Sequence, residues 1–132
     1  MADIESSVLR ASTTLTNSYV SSSTAQTGNT GRMDIALQFT LASLTSLQVK
    51  VLFSEDGTTF EYLQKEESTS GSGVITAYPA IFTYLPADWG TAAIGARIRL
   101  PHTAKLVKIQ AVGNGTLTSS LLAATLVEGD DD

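Results

Sequence analysis

Hydrophobic and polar positions alternate with a period of two along much of this chain. Met33, Ile35, Leu37 and Phe39 alternate with Asp34, Ala36, Gln38 and Thr40. Leu47, Val49, Val51 and Phe53 alternate with Gln48, Lys50 and Leu52. A period of two sorts side chains onto opposite faces of a pleated strand, so 33–40 and 47–53 read as strands. Ser54-Glu55-Asp56-Gly57 interrupts the second run, and Thr59, Phe60 and Tyr62 resume it. Asp-Gly provides the backbone of a hairpin turn.

The same grammar continues. Residues 65–73, KEESTSGSG, read as a flexible loop because Gly and Ser pack little and keep high backbone entropy. Residues 74–78 and 80–85 read as strands separated by Pro79, which cannot donate to a ladder. Residues 86–93 read as a loop or one helical turn, and 84–90 is the one place for a short helix. In 94–100, Ile94, Ala96, Ile98 and Leu100 share one face and Gly95, Arg97 and Arg99 the other. Residues 105–112 form a strand, Gly113-Asn114-Gly115 signals a hairpin, and 116–127 is a last strand pairing back on its neighbour. Eight or nine strands with turns about every 8–12 residues predict an all-β fold. The expected architecture is an antiparallel β-sandwich, jelly-roll-like, with little or no helix. Its expected core contains Ile35, Leu37, Phe39, Val49, Val51, Ile98, Leu106, Ile109 and Leu117.

The ends differ from the middle. Residues 1–31 are polar and rich in Ser, Thr and Asn, with Val8, Leu15, Tyr19 and Val20 as sparse anchors. They read as an N-terminal arm with one or two short strands, too polar to repay its own ordering entropy. Residues 32–127 form the sandwich and 128–132 an acidic tail. Glu128, Asp130, Asp131 and Asp132 are four of the 13 acids, which leaves nine acids against eight Lys and Arg in the body. The net charge of -5 is thus a property of the tail. No Lys/Arg cluster is present in the sequence to form a basic patch, so nucleic acid is not an expected partner. Ser and Thr make up about a quarter of the residues, a hydroxyl surface well suited to strands.

Little here carries chemistry. There is no cysteine, which excludes disulfides, thiolate zinc sites and thiol catalysis. No secretory signal pattern and no apolar run of membrane-spanning length occur in the sequence. His102, the single histidine, sits between Pro101 and Thr103 with no second ligand nearby in sequence and reads as an exposed turn residue. Glu55-Asp56-Gly57 lacks the spaced ligands of a calcium loop, and turn chemistry accounts for it. The glycines at 71, 73, 113 and 115 do not open a helix and form no phosphate cradle. No enzymatic activity, cofactor or metal is expected. Trp89, the single tryptophan, reads as a core cap, a protein–protein anchor or a sugar platform. Arg97 and Arg99 are displayed together on one strand face, where arginine suits an interface or plain solvation.

The order of segments carries a resemblance. A Ser/Thr-rich leader is followed by Ala25-Gln26-Thr27-Gly28 and the alternating strand 33–40. Leu47-Gln48-Val49-Lys50-Val51 then runs into Ser54-Glu55-Asp56-Gly57-Thr58-Thr59-Phe60, and Arg97-Ile98-Arg99-Leu100 and Gly113-Asn114-Gly115 come later. This resembles small all-β virion proteins of tailed bacteriophages. The resemblance implies a non-enzymatic structural protein of the virion, made in the host bacterial cytoplasm. The specific expectation is a capsid decoration (cement) protein, homo-oligomeric on the particle, whose partners are the major capsid protein or other virion subunits, with no nucleic acid and no membrane. A head–tail connector, neck or tail component is the alternative. A second likeness links 49–60 to the strand–turn of discoidin-like and other carbohydrate-binding sandwiches, where a Ser-x-Asp-Gly segment precedes an aromatic, usually Trp. Here Phe60 takes that place and their paired cysteines are missing. The residues expected at an interface are Val8, Leu15, Tyr19, Val20, Trp89, Arg97 and Arg99.

Overall fold

The two alternating runs become the middle strands of two facing sheets. The computed structural model describes residues 4–28, 31–68, 73, 75–101 and 104–129. Its elements in chain order are β1 (Ile4–Thr13), β2 (Val20–Ser21), β3 (Ala25–Gln26), β4 (Arg32–Thr40), β5 (Leu44–Ser54), β6 (Glu61–Tyr62), β7 (Gln64–Ser68), β8 (Ile75–Pro79), β9 (Phe82–Tyr84), α1 (Pro86–Trp89), β10 (Ile94–Leu100), β11 (Leu106–Gly115) and β12 (Leu121–Gly129). The first sheet runs β1-β12-β4-β10. The second runs β2-β11-β5-β6, with β3 also on β11 and β9 also on β5. β7 and β8 form a separate two-stranded ribbon, and every pair is antiparallel. The fold is an all-β antiparallel sandwich with one four-residue helix among the described residues.

The core is what the alternation dictates. Met33, Ile35, Leu37 and Phe39 of β4, with Leu122, Ala124 and Leu126 of β12 and Ile98 and Leu100 of β10, line the first sheet's inner face. Leu47, Val49 and Val51 of β5 and Val107, Ile109 and Ala111 of β11 face them. Of the expected core, Leu106 is half-buried and Leu117 packs against the cluster from outside. The Ser54–Gly57 turn leads into a hairpin, Leu52 opposite Tyr62 and Phe53 opposite Glu61.

Several expectations are corrected by the pairing. Residues 4–28 do not stand apart as an arm. β1 pairs along β12 from Ile4 opposite Gly129 to Thr13 opposite Leu122, β2 and β3 pair with β11, and Leu9, Leu15 and Ala25 lie in the core. The anchors are too widely spaced to show alternation, but partners at the far end of the chain complete their face. The acidic tail likewise begins inside a strand. Glu128 is 3% exposed and its carboxylate accepts the Gly28 N–H at 2.6 Å; residues 130–132 lie outside the described residues. Within the loop expected at 65–73, residues 65–68 belong to β7, Gln64 facing Pro79 and Ser68 facing Ile75; 69–72 and 74 are outside the described residues, as is His102.

Gly113-Asn114-Gly115 is not a hairpin turn. It ends β11, where the Asn114 amide donates to Ser46 Oγ at 2.9 Å and Gln48 Oε1 at 3.1 Å. Gly113 is small because a Cβ there would sit 3.0–3.1 Å from Leu15, Leu117 and Leu44. The chain turns later, where Ser120 N–H and Oγ both donate to Leu117 O at 3.0 and 2.6 Å. It then crosses to the other sheet, and β12 pairs with β1 and β4 rather than with β11.

Leu37→Ala or Val51→Ala leaves a cavity between the sheets and is expected to cost about 2–4 kcal/mol, read as a lower denaturation midpoint than Thr118→Ala gives. Deleting residues 1–13 strips β1 from β12 and removes Leu9 from the core. The expected outcome is loss of the cooperative unfolding transition, monitored by circular dichroism.

Candidate interaction surface

Positions that alternate with the core form the outer face of the first sheet. The register aligns them in rows across the strands. Val8, Thr125, Ala36 and Arg97 form one row, Ser6, Val127, Asp34 and Arg99 the next, and Ala123, Gln38 and Gly95 a third. Around the middle of this face, Ala36, Gln38, Gly95, Ala123 and Thr125 are small, hydroxyl-bearing or amide, so no tall side chain stands up there. Val8 is 66% exposed at one end, and Leu121 is also exposed. Two shallow concavities lie on it. One of about 450 Å³ is lined by residues including Gln38, Thr40, Ile94, Gly95, Leu121 and Ala123. One of about 350 Å³ is lined by Ala36, Leu37, Gln38, Gly95, Ala96 and Arg97.

The charge on this face is concentrated at one corner. Arg99 Nε donates to Asp34 Oδ1 at 2.6 Å, and Arg97 Nη1 lies 3.6 Å from Asp34 Oδ2. Two guanidinium groups thus share one carboxylate, which leaves a local positive excess on a chain of net charge -5. Both arginine side chains are largely exposed, so the pairs contribute little stability and remain open to a partner.

The second sheet's outer face is occupied by the chain itself. Lys50 Nζ lies 4.2 Å from the Tyr19 ring centroid and 5.5 Å from that of Tyr62, and Lys108 Nζ lies 3.9 Å from that of Phe60. These are cation–π distances. Tyr62 Oη donates to Gln110 Oε1 at 3.0 Å. Burial, and then the neighbouring Tyr62, push the Tyr19 phenol up from its ordinary value. The Asp56 carboxylate is committed to its turn. It accepts the Thr59 and Thr58 N–H groups, each at 2.8 Å, and these hold it below the usual range.

The expected interface residues are therefore dispersed. Val8, Arg97 and Arg99 share the first sheet's outer face. Val20 is exposed at the edge of the second sheet, opposite Ala111, and Tyr19 lies over Lys50. Leu15 is a correction: at 2% exposure it fills the core and offers nothing to a partner. Trp89 is half-buried and caps the core, its ring 5.7 Å from Phe39 and 5.3 Å from Tyr84. The surface residues that sequence reasoning did not single out are Asp34, Ala36, Gln38, Ala123 and Thr125. Their signal was present as the polar half of the alternation, but only the sheet order sets them side by side. Among the described residues, no three or more His, Cys, Asp or Glu gather as a metal site, and no helix is long and apolar enough to cross a membrane.

These features define the class as an antiparallel β-sandwich with one sheet face that no element among the described residues covers. No protein-family model matches the sequence, and no curated protein does. Among solved structures, the chain is similar to the SPBc2 prophage-derived protein YomS, with a TM-score of 0.51 and 11% identity over 98% of this chain and 96% of that one. A chain in the structure of infectious bursal disease virus Gx strain aligns with a TM-score of 0.30 and 13% identity, over 97% of this chain and 40% of that one. The first likeness shows a shared fold along almost the whole chain, and the second is too weak to carry an argument.

Burial pushes the Tyr84 phenol up to about 12, against about 10 in an unfolded chain. The stability linked to its neutral form is fully present below pH 10 and is lost as pH rises toward 12. The slope is at most about 1.4 kcal/mol per pH unit. Urea denaturation at pH 9 and pH 11 should show a larger drop for the native sequence than for Tyr84→Phe.

Proposed function

We propose that this chain is a non-enzymatic structural protein of a tailed-phage particle, and specifically a capsid decoration protein that binds the assembled head. The observation that carries this reading is the bare outer face of β1-β12-β4-β10. Thr125, Ala36, Ala123, Gln38 and Val127 make a flat surface that suits the broad face of another protein subunit, with an arginine pair at its rim for register. The fold shared with a prophage-derived protein supports a phage setting.

Strand order supports it further. Leaving out the β7–β8 ribbon and counting β2 with β3 and β6 with β9 as single positions, the first sheet reads 1-8-3-6 and the second 2-7-4-5. We read this as a jelly roll, an architecture common in viral shell domains. The mechanism is mechanical. Many copies bind neighbouring subunits of the major capsid protein only once these are assembled, so binding shifts the shell away from disassembly by mass action.

Two measurements test this. Mass-spectrometric counting in purified particles should find hundreds of copies, whereas about a dozen or fewer would place the chain at the neck or tail tip. In co-sedimentation with shells lacking the protein, Ala36→Arg should weaken binding at least tenfold by placing a long charge in the middle of the flat face. Thr118→Arg, on the exposed turn, should leave binding unchanged.

A further inference from the structure

The edges of the two sheets are not alike. The second sheet ends in β2 and β3 on one side and in β6 and β9 on the other, none longer than three residues. The first sheet ends on one side in β1, whose register shifts between Val8 and Arg10 and again between Arg10 and Thr13. Short strands and bulges discourage the addition of a further strand. On its other side the first sheet ends in β10, which pairs with β4 over all seven residues, from Ile94 opposite Phe39 to Leu100 opposite Met33, without a shift. Among the described residues no strand pairs with the other side of β10.

The charge on that edge strand is of one sign. Arg97 and Arg99 stand two residues apart on the outer face, their side chains 60% and 62% exposed. Among the described residues, their ion pairs are with Asp34 alone, on β4, which lies behind β10 as seen from the free edge. One carboxylate, itself only 17% exposed, thus serves two guanidinium groups, and the second positive charge has no counter-ion of its own. The positions that alternate with the arginines are apolar. Ile98 is buried, Ala96 is half-buried, and Ile94 is 40% exposed at the rim of the core. The free edge is therefore cationic on one face and apolar on the other.

We infer that β10 is a docking edge for an extended acidic segment of another protein, which adds to the first sheet as a fifth strand. Its acidic side chains stand at alternate positions beside Arg97 and Arg99, and apolar side chains between them meet the rim at Ile94 and Ala96. Strand addition to an open edge is an established mode of binding extended peptides, with backbone hydrogen bonds supplying the pairing. Charge selects the occupant. Opposite charges on neighbouring strands stabilise and like charges oppose. A basic strand, a second β10 included, is thus turned away, and an acidic one completes the neutralisation that Asp34 leaves half done. The arginines also set the spacing, since side chains on one strand face recur every second residue. A concavity of about 350 Å³ beside Gly95, lined by residues including Ala36, Gln38 and Arg97, leaves room on the arginine face. This inference does not rest on the proposed role in a particle.

The test uses the full chain and seven-residue peptides, matched to the length of β10. The probe Thr-Val-Glu-Val-Glu-Val-Thr, acetylated and amidated, places both glutamates on one strand face and reads the same in either direction. A second peptide carries lysine in place of each glutamate. Calorimetric titration should show the glutamate peptide binding roughly tenfold more tightly than the lysine peptide, with the difference shrinking as salt is raised. Amide exchange followed by NMR should slow at alternate positions of residues 94–100 and not along β1. Combining Arg97→Gln with Arg99→Gln should cut the preference to under about threefold. Both side chains are largely exposed, so this change leaves the chain folded. No binding of the glutamate peptide, equal binding of the two peptides, protection along β1 instead of β10, or a preference that survives in the glutamine variant would each overturn the inference.

Discussion

The fold depends on the apolar faces of β4 and β5 being pressed together. Each is a middle strand, β4 between β12 and β10 and β5 between β11 and the short β6 and β9. Only three residues separate them in sequence, yet they lie in different sheets. The link is tight enough that Ala42 takes a positive φ of 50°, unusual for a residue with a Cβ. Burial of Leu41 and Leu44 on either side, with Leu44 N–H donating to Leu41 O at 2.9 Å, holds it there. Strain of about 1–3 kcal/mol is tolerated where the surroundings fix the conformation this firmly.

Six connections cross between the sheets, and this has a cost in folding order. β12 comes last among the described strands, yet it sits between β1 and β4 and completes the first sheet. Its partners therefore lie about a full chain length and most of a chain length away in sequence. Non-local pairing of this kind delays the reward for closing loops, so such topologies fold slowly. The Glu128–Gly28 hydrogen bond ties the end of β12 to the segment between β3 and β4.

The two outer faces are treated differently, and that division shapes the functional reading. On the second sheet, lysine ammonium groups lie against tyrosine and phenylalanine rings and glutamine meets a tyrosine hydroxyl. The aromatic surface there is already engaged by the chain's own cations, Lys50 over Tyr19 and Tyr62 and Lys108 over Phe60. On the first sheet the middle of the outer face has Ala36, Gln38, Ala123, Thr125 and Val127 beside one ion-paired corner, and no element among the described residues covers it.

By itself the sequence determined the strands with dense alternation. Residues 33–40, 47–53 and 94–100 were legible because a period of two is a local property, and the core face followed from it. Gly95, Arg97 and Arg99 were readable as an outward set for the same reason. What the sequence did not determine was which strands pair. Gly113-Asn114-Gly115 has the local chemistry of a hairpin turn, but its glycine is needed where Leu15 and Leu44 press on the backbone. Residues 4–28 look too polar to fold because their few apolar side chains meet their partners only across the sandwich. Asp34 became the anchor of both arginines only once β4 lay beside β10 and not beside β5. Each of these depends on contacts between residues far apart in the chain, which the tertiary structure alone decides.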